Sequence, residues 1–429
     1  MMTRKISILF VFIFIFNFIG FNQDYPGFRV EGRFLYDACG EKVILRGVSN
    51  PNIWFEKNGI PRMAEIALTG ANVVRIVWET RGTAAQLDLA IQNCIKEKMI
   101  PMVEVHDATG EIDKVPMCVD YWTKPDVVVV LLKHEKYLLL NIANEPGNGS
   151  VSNSKFKSTY EDAISRIRDA GIHVPLVIDG TDWGKNINII QAEGLGLIEF
   201  DPDHNLIFSV HMWWPKMYGF SEQDIINELA QSVELNLPLI VGEFSQMHGS
   251  CDESNITANN SIAYKIILRE CQKTETGYIA WSWFGNCNPL WDMSTKGTFA
   301  TLYDWGLEVT VTDENSIKNT SVRPYSILNG ICKSNVGIEE MEKEFDLIRS
   351  FPNPAAQKTT ITYIIKEQGN VELRILDING KVLNSLVNET QPEGKYTVDY
   401  NTSTIENGFY FYQLKVNQQF ATKKMLIQH

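Results

Sequence analysis

Tyr137-Leu138-Leu139-Leu140-Asn141-Ile142-Ala143-Asn144-Glu145-Pro146 is the stretch on which the reading of this chain turns. Tyr137 to Leu140 is a short apolar run of the kind that makes a strand buried on both faces. The run turns polar at Asn144 and Glu145. Pro146 has no N–H to give to a ladder and closes the strand. A carboxylate beside an amide thus stands at the carboxyl end of a buried parallel strand, which is where α/β proteins place their chemistry. A capping or salt-bridging Glu in a loop would look the same, so the rest of the chain has to separate the two readings.

Similar runs recur about every 30 to 40 residues, as βα units require. They are Val43 to Leu45, Val73 to Val77, Ile100 to Val105, Tyr137 to Ile142, Pro175 to Ile178, Leu206 to Val210, Leu239 to Val241 and Tyr278 to Trp281. Helical patterns such as Ala84 to Lys98 and Lys157 to Ala170 lie between them. Eight units over about 300 residues predict a (β/α)₈ barrel better than an open sheet. The run ends carry Arg46, Gly47 and Asn50; Trp78; His106 and Asp107; Asn144 and Glu145; Asp179; His211, Trp213 and Trp214; Glu243; then Trp281, Ser282 and Trp283. A structural protein has no reason to place such residues at one end of every strand. In a barrel enzyme all these ends meet in one cleft.

Glu145 and Glu243 end the fourth and seventh runs and face each other across such a cleft. Carboxyl groups about 5–5.5 Å apart support retaining glycoside hydrolysis, in which one protonates the leaving oxygen and the other attacks the anomeric carbon. Arg75, on the second run, is placed to hold a nucleophile ionised. A second negative charge beside that nucleophile is expected to raise the pKa of Glu145. Asn144 can donate to a sugar 2-hydroxyl. Trp183, Trp213, Trp214, Trp281 and Trp283 offer flat faces for pyranose rings, with at least two expected to serve packing only. His106 and His211 read as orienting histidines. No spacing supports a metal or cofactor.

The formal net charge of −13 argues against nucleic acid and anionic membrane as partners and fits a neutral substrate. Arg4 and Lys5 followed by the apolar run from Ile6 predict a signal peptide over residues 1–22 and export. Seven irregularly spaced cysteines fit no zinc or redox motif, and one or two disulfides are compatible with export, without an assigned pairing. The barrel is expected over residues 25–332 and a charged linker over 333–347. A small all-β sandwich is expected over 348–429, with Asn379-Gly380 and Asn407-Gly408 as turns.

Asn144-Glu145-Pro146, Gly242-Glu243-Phe244, the Arg75 strand, His106-Asp107 and the His211 strand, taken together, resemble glycoside hydrolase family 5, a retaining (β/α)₈ group of endoglucanases and β-mannanases. The resemblance spans roughly Tyr25 to Cys332. It implies Glu145 as acid/base, Glu243 as nucleophile and Trp281 as the floor of the −1 subsite, with Arg75, His106, Asn144 and His211 in the substrate site. Asn141 to Glu145, the Asp179-Gly180-Thr181-Asp182-Trp183-Gly184 loop, His248, and Ala280 to Trp283 with Gly285-Asn286 are most similar to bacterial endo-β-1,4-mannanases. That likeness implies a secreted monomer acting on β-1,4-linked mannan, with Trp183 and His248 on the substrate. An endo-β-1,4-glucanase acting on cellulose or glucomannan, and a non-catalytic surface glycan-binding protein, remain the rivals. Trp213 departs from the family, which usually has Tyr there bonding the nucleophile; an indole donates one bond and accepts none, and Tyr218 is the expected substitute. Pro352-Asn353-Pro354-Ala355, Asp377 to Lys381, Gly408-Phe409-Tyr410 and Lys423 to Ile427 resemble the sorting domain of type IX secretion, which implies the secretion machinery as a partner.

Overall fold

The computed structural model describes residues 27–332, 349–365, 368–377, 380–417 and 419–429. The expected signal peptide, the charged linker and Asn379 lie outside these residues. The chain divides into two compact units between Lys333 and Ser334.

The first unit is a closed barrel of eight parallel strands: β1 (Arg46–Asn50), β2 (Val73–Trp78), β3 (Ile100–Val105), β4 (Leu139–Asn141), β5 (Leu176–Asp179), β6 (Leu206–His211), β7 (Leu239–Glu243) and β8 (Gly277–Ala280). Every strand residue is buried. Helices cover the outside, and this is why the strands read as apolar runs without alternation. Period two still separates the faces. On β2, Val74, Ile76 and Trp78 pack outward with the helices, while Val73 joins an inner layer with Met102, Leu139, Val177, Ile207, Ile240 and Ile279. Two residues further along the inward face the layer turns polar, as Arg75, Glu104, Asn141 and Asp179. The barrel floor is thus apolar and its mouth is charged, on the same ladders of side chains.

Two expected strands are corrected. Val43 to Leu45 is not the first barrel strand. Lys42–Val43 closes a small antiparallel sheet with Arg29–Glu31 and Phe34–Tyr36. The barrel strand is the polar stretch β1, whose Arg46 is buried and donates to the carbonyls of Leu45 and Thr276. Tyr137 ends a 3₁₀ turn, Glu135–Tyr137, and β4 begins only at Leu139. Helix Ala84–Lys96 opens on a capping box between Thr83 and Gln86, and Asn153–Asp169 opens on Ser152. Both start where a hydroxyl accepts an orphan N–H.

Two disulfides form. Cys39–Cys332 ties the start of this unit to its end across 293 residues, and Cys251–Cys287 joins the loops that follow β7 and β8. Cys94, Cys118 and Cys271 are free and buried. Among the described residues no helix is long and apolar enough to cross a membrane.

The second unit is all antiparallel β. A three-stranded sheet of Arg349–Phe351, Lys358–Ile365 and Gly394–Asn401 shares a core with a four-stranded sheet of Val382–Gln391, Gly369–Leu376, Gly408–Val416 and Gln419–Ile427. Ile361, Tyr363 and Ile365 from the first meet Leu373, Ile375 and Leu414 from the second. This is the expected sandwich, with Arg349–Phe351 as a strand that its Arg-Ser-Phe composition did not announce.

Candidate active site

Arg75 organises the polar end of the barrel. It is fully buried on β2. Its Nη1 donates to Glu243 Oε1 at 2.7 Å, its Nη2 to Asn144 Oδ1 at 2.6 Å and its Nε to Asn141 Oδ1 at 3.1 Å. Glu104 stands 3.7 Å and Asp179 3.6 Å away. Burial alone would lower its pKa, but Glu104, Glu243, Asp179 and Glu145 outweigh burial and raise it further. The guanidinium is therefore a fixed charge.

Glu243 ends β7 beside a register shift against β6, which brings it opposite His211. Its second oxygen accepts from Trp213 Nε1 at 3.2 Å. Tyr218 does not fill the place of the usual Tyr: its ring lies against His248 at 5.0 Å, and among the described residues its hydroxyl makes no hydrogen bond to Glu243. The indole supplies the donor instead.

Glu145 lies four residues past β4, at a φ of 44°. That left-handed conformation costs a residue with a Cβ on the order of 1 kcal/mol. Its backbone N–H donates to Asp179 Oδ2 at 3.0 Å, and its carbonyl accepts from Gly110 at 2.9 Å. Its Oε1 is 2.8 Å from His211 Nδ1. Oxygens of Glu145 and Glu243 and a nitrogen of His211 all lie within 4.8 Å of one another.

His211 is fully buried, with Glu145, Asp179 and Glu243 at 2.8, 3.3 and 3.5 Å from its ring nitrogens. Burial opposes its charge, but Glu243, Asp179 and Glu145 prevail and push its pKa up to about 9. This overturns the expected order within the carboxyl pair. Burial pushes Glu145 up, but the hydrogen bond and charge of His211 outweigh it and hold Glu145 below its usual value. Burial raises Glu243, and the charge of Glu145 adds to that against His211 and Arg75. The sequence reading counted Arg75 as the local cation and left out the imidazolium beside Glu145.

The remaining candidates divide between cleft and support. Trp281 lies at the end of β8, stacks on His106 at 5.6 Å and donates to Asn286. Glu104 fixes His106 through Nδ1 at 2.9 Å. Trp54, from the loop after β1, stands edge-on to both rings. Trp183 is 44% exposed, and Trp213 meets His248 edge to face. His248 Nδ1 is buried and has no hydrogen-bond partner among the described residues. Burial, then Lys185, lowers the His248 pKa. Asn144 is fully buried, and its amide nitrogen donates to Thr109 at 2.9 Å and lies 3.3 Å from His106 Nε2. Trp214 stacks on Phe220, and Trp283 donates to the Gly297 carbonyl; both are packing. Sequence reading gave no site role to Asp179, Glu104, Asn141 or Trp54. The first three sit on inward positions of β5, β3 and β4, and two-residue alternation with Arg75 was the signal that could have found them.

The cleft holds about 740 Å³ and is lined by Glu145, Glu243, Trp183, Trp213, His248 and Trp281 among others. An eight-stranded barrel whose mouth holds two close carboxyl groups between aromatic faces defines a glycoside hydrolase. Residues 36–286 match the family model for cellulase, glycosyl hydrolase family 5, and the chain belongs to that family. It is 33% identical to a mannan endo-1,4-beta-mannosidase of Cellvibrio japonicus, over 72% of this chain and 71% of that one. It is 32% identical to a mannan endo-1,4-beta-mannosidase of Salipaludibacillus agaradhaerens, over 65% and 89%. A mannotriose complex of Thermomonospora fusca beta-mannanase superposes with a TM-score of 0.60 at 31% identity, covering 69% of this chain and 98% of that one. Residues 349–428 match a secretion system C-terminal sorting domain, which marks the chain for the cell surface or the exterior.

Proposed function

We propose that this chain is a secreted, retaining endo-β-1,4-mannanase that cuts internal bonds of mannan as a monomer. The observation that carries the reading is the carboxyl pair, with oxygens within 4.8 Å and Glu243 held by Arg75 at 2.7 Å. Inverting enzymes need about 6.5–9.5 Å between carboxyl groups to seat a water. Substrate class rests on the relatives, which are named for mannan. On the same proposal the chain divides into a signal peptide over 1–22, a catalytic domain over 25–332, a linker over 333–347 and a sorting domain over 348–429; the division after Lys333 and the match over 349–428 support the last of these.

In the first step Glu243 attacks the anomeric carbon while Glu145 gives its proton to the leaving oxygen. In the second, Glu145 takes a proton from water, which releases the sugar with its configuration retained. Burial and the charge of Glu145 push Glu243 up while His211 holds Glu145 down, so bound substrate has to shift that balance toward a protonated Glu145. His211 Nδ1 lies 2.8 Å from one carboxyl and 3.5 Å from the other, so its charge acts on both. The donors from Arg75 and Trp213 steady the ionised Glu243.

Reducing-sugar release from mannan, galactomannan, glucomannan and carboxymethyl cellulose tests the substrate. Turnover of cellulose alone would move the reading to an endoglucanase, and binding without turnover to a glycan-binding protein. A 2-fluoro mannoside with an activated leaving group should label Glu243 and no other carboxylate.

A further inference from the structure

Asp179 takes no part in the steps above, yet it touches every component of the acid/base side of the site. It is fully buried at the end of β5. Its Oδ1 accepts from Asn141 Nδ2 at 3.0 Å, and Asn141 in turn accepts from Arg75. Its Oδ2 accepts the backbone N–H of Glu145 at 3.0 Å and stands 3.3 Å from His211 Nε2 and 3.6 Å from Arg75 Nη2.

The other contacts of the two residues leave Asp179 in control. Glu145 is in the left-handed region, where a residue with a Cβ stays only if its surroundings hold it. The hydrogen bond from its N–H to Asp179 fixes the turn at its own α-carbon. The His211 ring has no room to turn: a Cβ on Gly184 would lie 2.6 Å from its Cγ, and one on Gly242 would lie 3.0 Å from its Nε2. Its Nδ1 faces Glu145, with Glu243 behind. Its buried Nε2 has no aligned hydrogen-bond partner, and Asp179 Oδ2 is the carboxylate beside it. A carboxylate only accepts, so an N–H at Nε2 is favoured there.

We propose that Asp179 is the positioning residue of Glu145, fixing its backbone amide with the same oxygen that faces His211 Nε2 and favours a proton there, which keeps the ring a donor toward the Glu145 carboxyl group. This rests on Glu145 as the acid/base. Asp179 touches no substrate and acts only through its two neighbours.

Asp179→Asn in the full chain tests it. The amide keeps the size but turns an N–H toward Asn141 or the Glu145 backbone, and it removes the charge beside His211. Turnover of mannan should fall about 10- to 100-fold, part of the ~10²–10⁴-fold that general acid–base catalysis supplies. KM for the polymer should stay the same. The first step on a dinitrophenyl mannoside, whose leaving group needs no proton, should be largely spared. His211 is pushed up to about 9 by Glu243, Asp179 and Glu145, against burial. With one of the three gone, the alkaline limb of the pH profile should move to lower pH. Equal losses on both substrates with an unmoved limb would make Asp179 a merely structural residue and overturn the proposal.

Should that variant not fold, nitrogen-15 NMR of histidine-labelled wild-type protein decides. Protons on both His211 nitrogens at neutral pH support the proposal; an unprotonated Nε2 overturns it. The reading of Glu145 fails separately: Glu145→Ala with Asp179 intact would then show no rescue by azide.

Discussion

Arg75→Lys is the most informative single change in the barrel. Arg75 spends three donors on three acceptors, Glu243, Asn144 and Asn141, at 2.6 to 3.1 Å. A lysine ammonium is a point donor on a flexible stem and can meet about one of them in line. Two charge-assisted bonds are lost, each about 1.5–3 kcal/mol. If both act fully in the transition state, kcat/KM falls about 10²- to 10⁴-fold. Asn144 and Glu243 are buried, so stability should also drop by about 2–3 kcal/mol, below the loss for removing a buried partner outright. The pH profile carries the sharper test. Glu243 must be ionised to attack, and burial already raises its pKa, while Arg75 opposes the rise. A weaker cation lets the pKa climb further. Activity is present above that pKa and is lost as pH falls through it, so the acid limb of kcat/KM should move to higher pH. The assay is mannan hydrolysis across pH with urea denaturation in parallel. An unmoved acid limb, even with a large loss of rate, would refute the claim that Arg75 sets the charge of Glu243.

Glu145→Ala should nearly stop turnover of unactivated mannan and spare the first step on aryl mannosides. Azide should then restore the second step and give a β-mannosyl azide; an α product would mean the enzyme is not retaining. Replacing Cys39 and Cys332 with Ser releases a closure across 293 residues, on the order of 5 kcal/mol, and should lower the urea midpoint without changing kcat at 25 °C. An unchanged midpoint would show that the unfolded chain gains nothing from the release. A chain stopped at Glu344 should fold and hydrolyse mannan, because the barrel holds its own core. Insoluble or inactive truncated protein would show that the second unit is structurally required.

The barrel was legible because seven of its strands are buried on both sides and therefore read as apolar runs. β1 was not: Arg46-Gly47-Val48-Ser49-Asn50 buries polar groups whose partners, among them Thr276 and Asn72, are remote in sequence. The carboxyl pair was legible because each Glu follows an apolar strand. The opposite pKa shifts within the pair were not, since they depend on three carboxylates converging on His211 from β5, β7 and the loop after β4. Asp179 was read as one more strand-end residue, because nothing local marks a carboxylate that serves a backbone N–H thirty-four residues earlier. The disulfides were out of reach for the same reason: loop proximity across the barrel leaves no mark in spacing.

The three free cysteines bear on how the other four find each other. Cys94, Cys118 and Cys271 are buried. Burial raises all three thiols, Cys271 to about 12, so none offers a thiolate at neutral pH once the barrel has closed. Cys251, Cys287 and Cys332 are exposed and Cys39 is half-buried. Four cysteines admit only three pairings. A barrel that packs before it oxidises removes three of its seven thiols from the search. It arrives at an even set, and an oxidant outside the cell has few wrong answers to choose from.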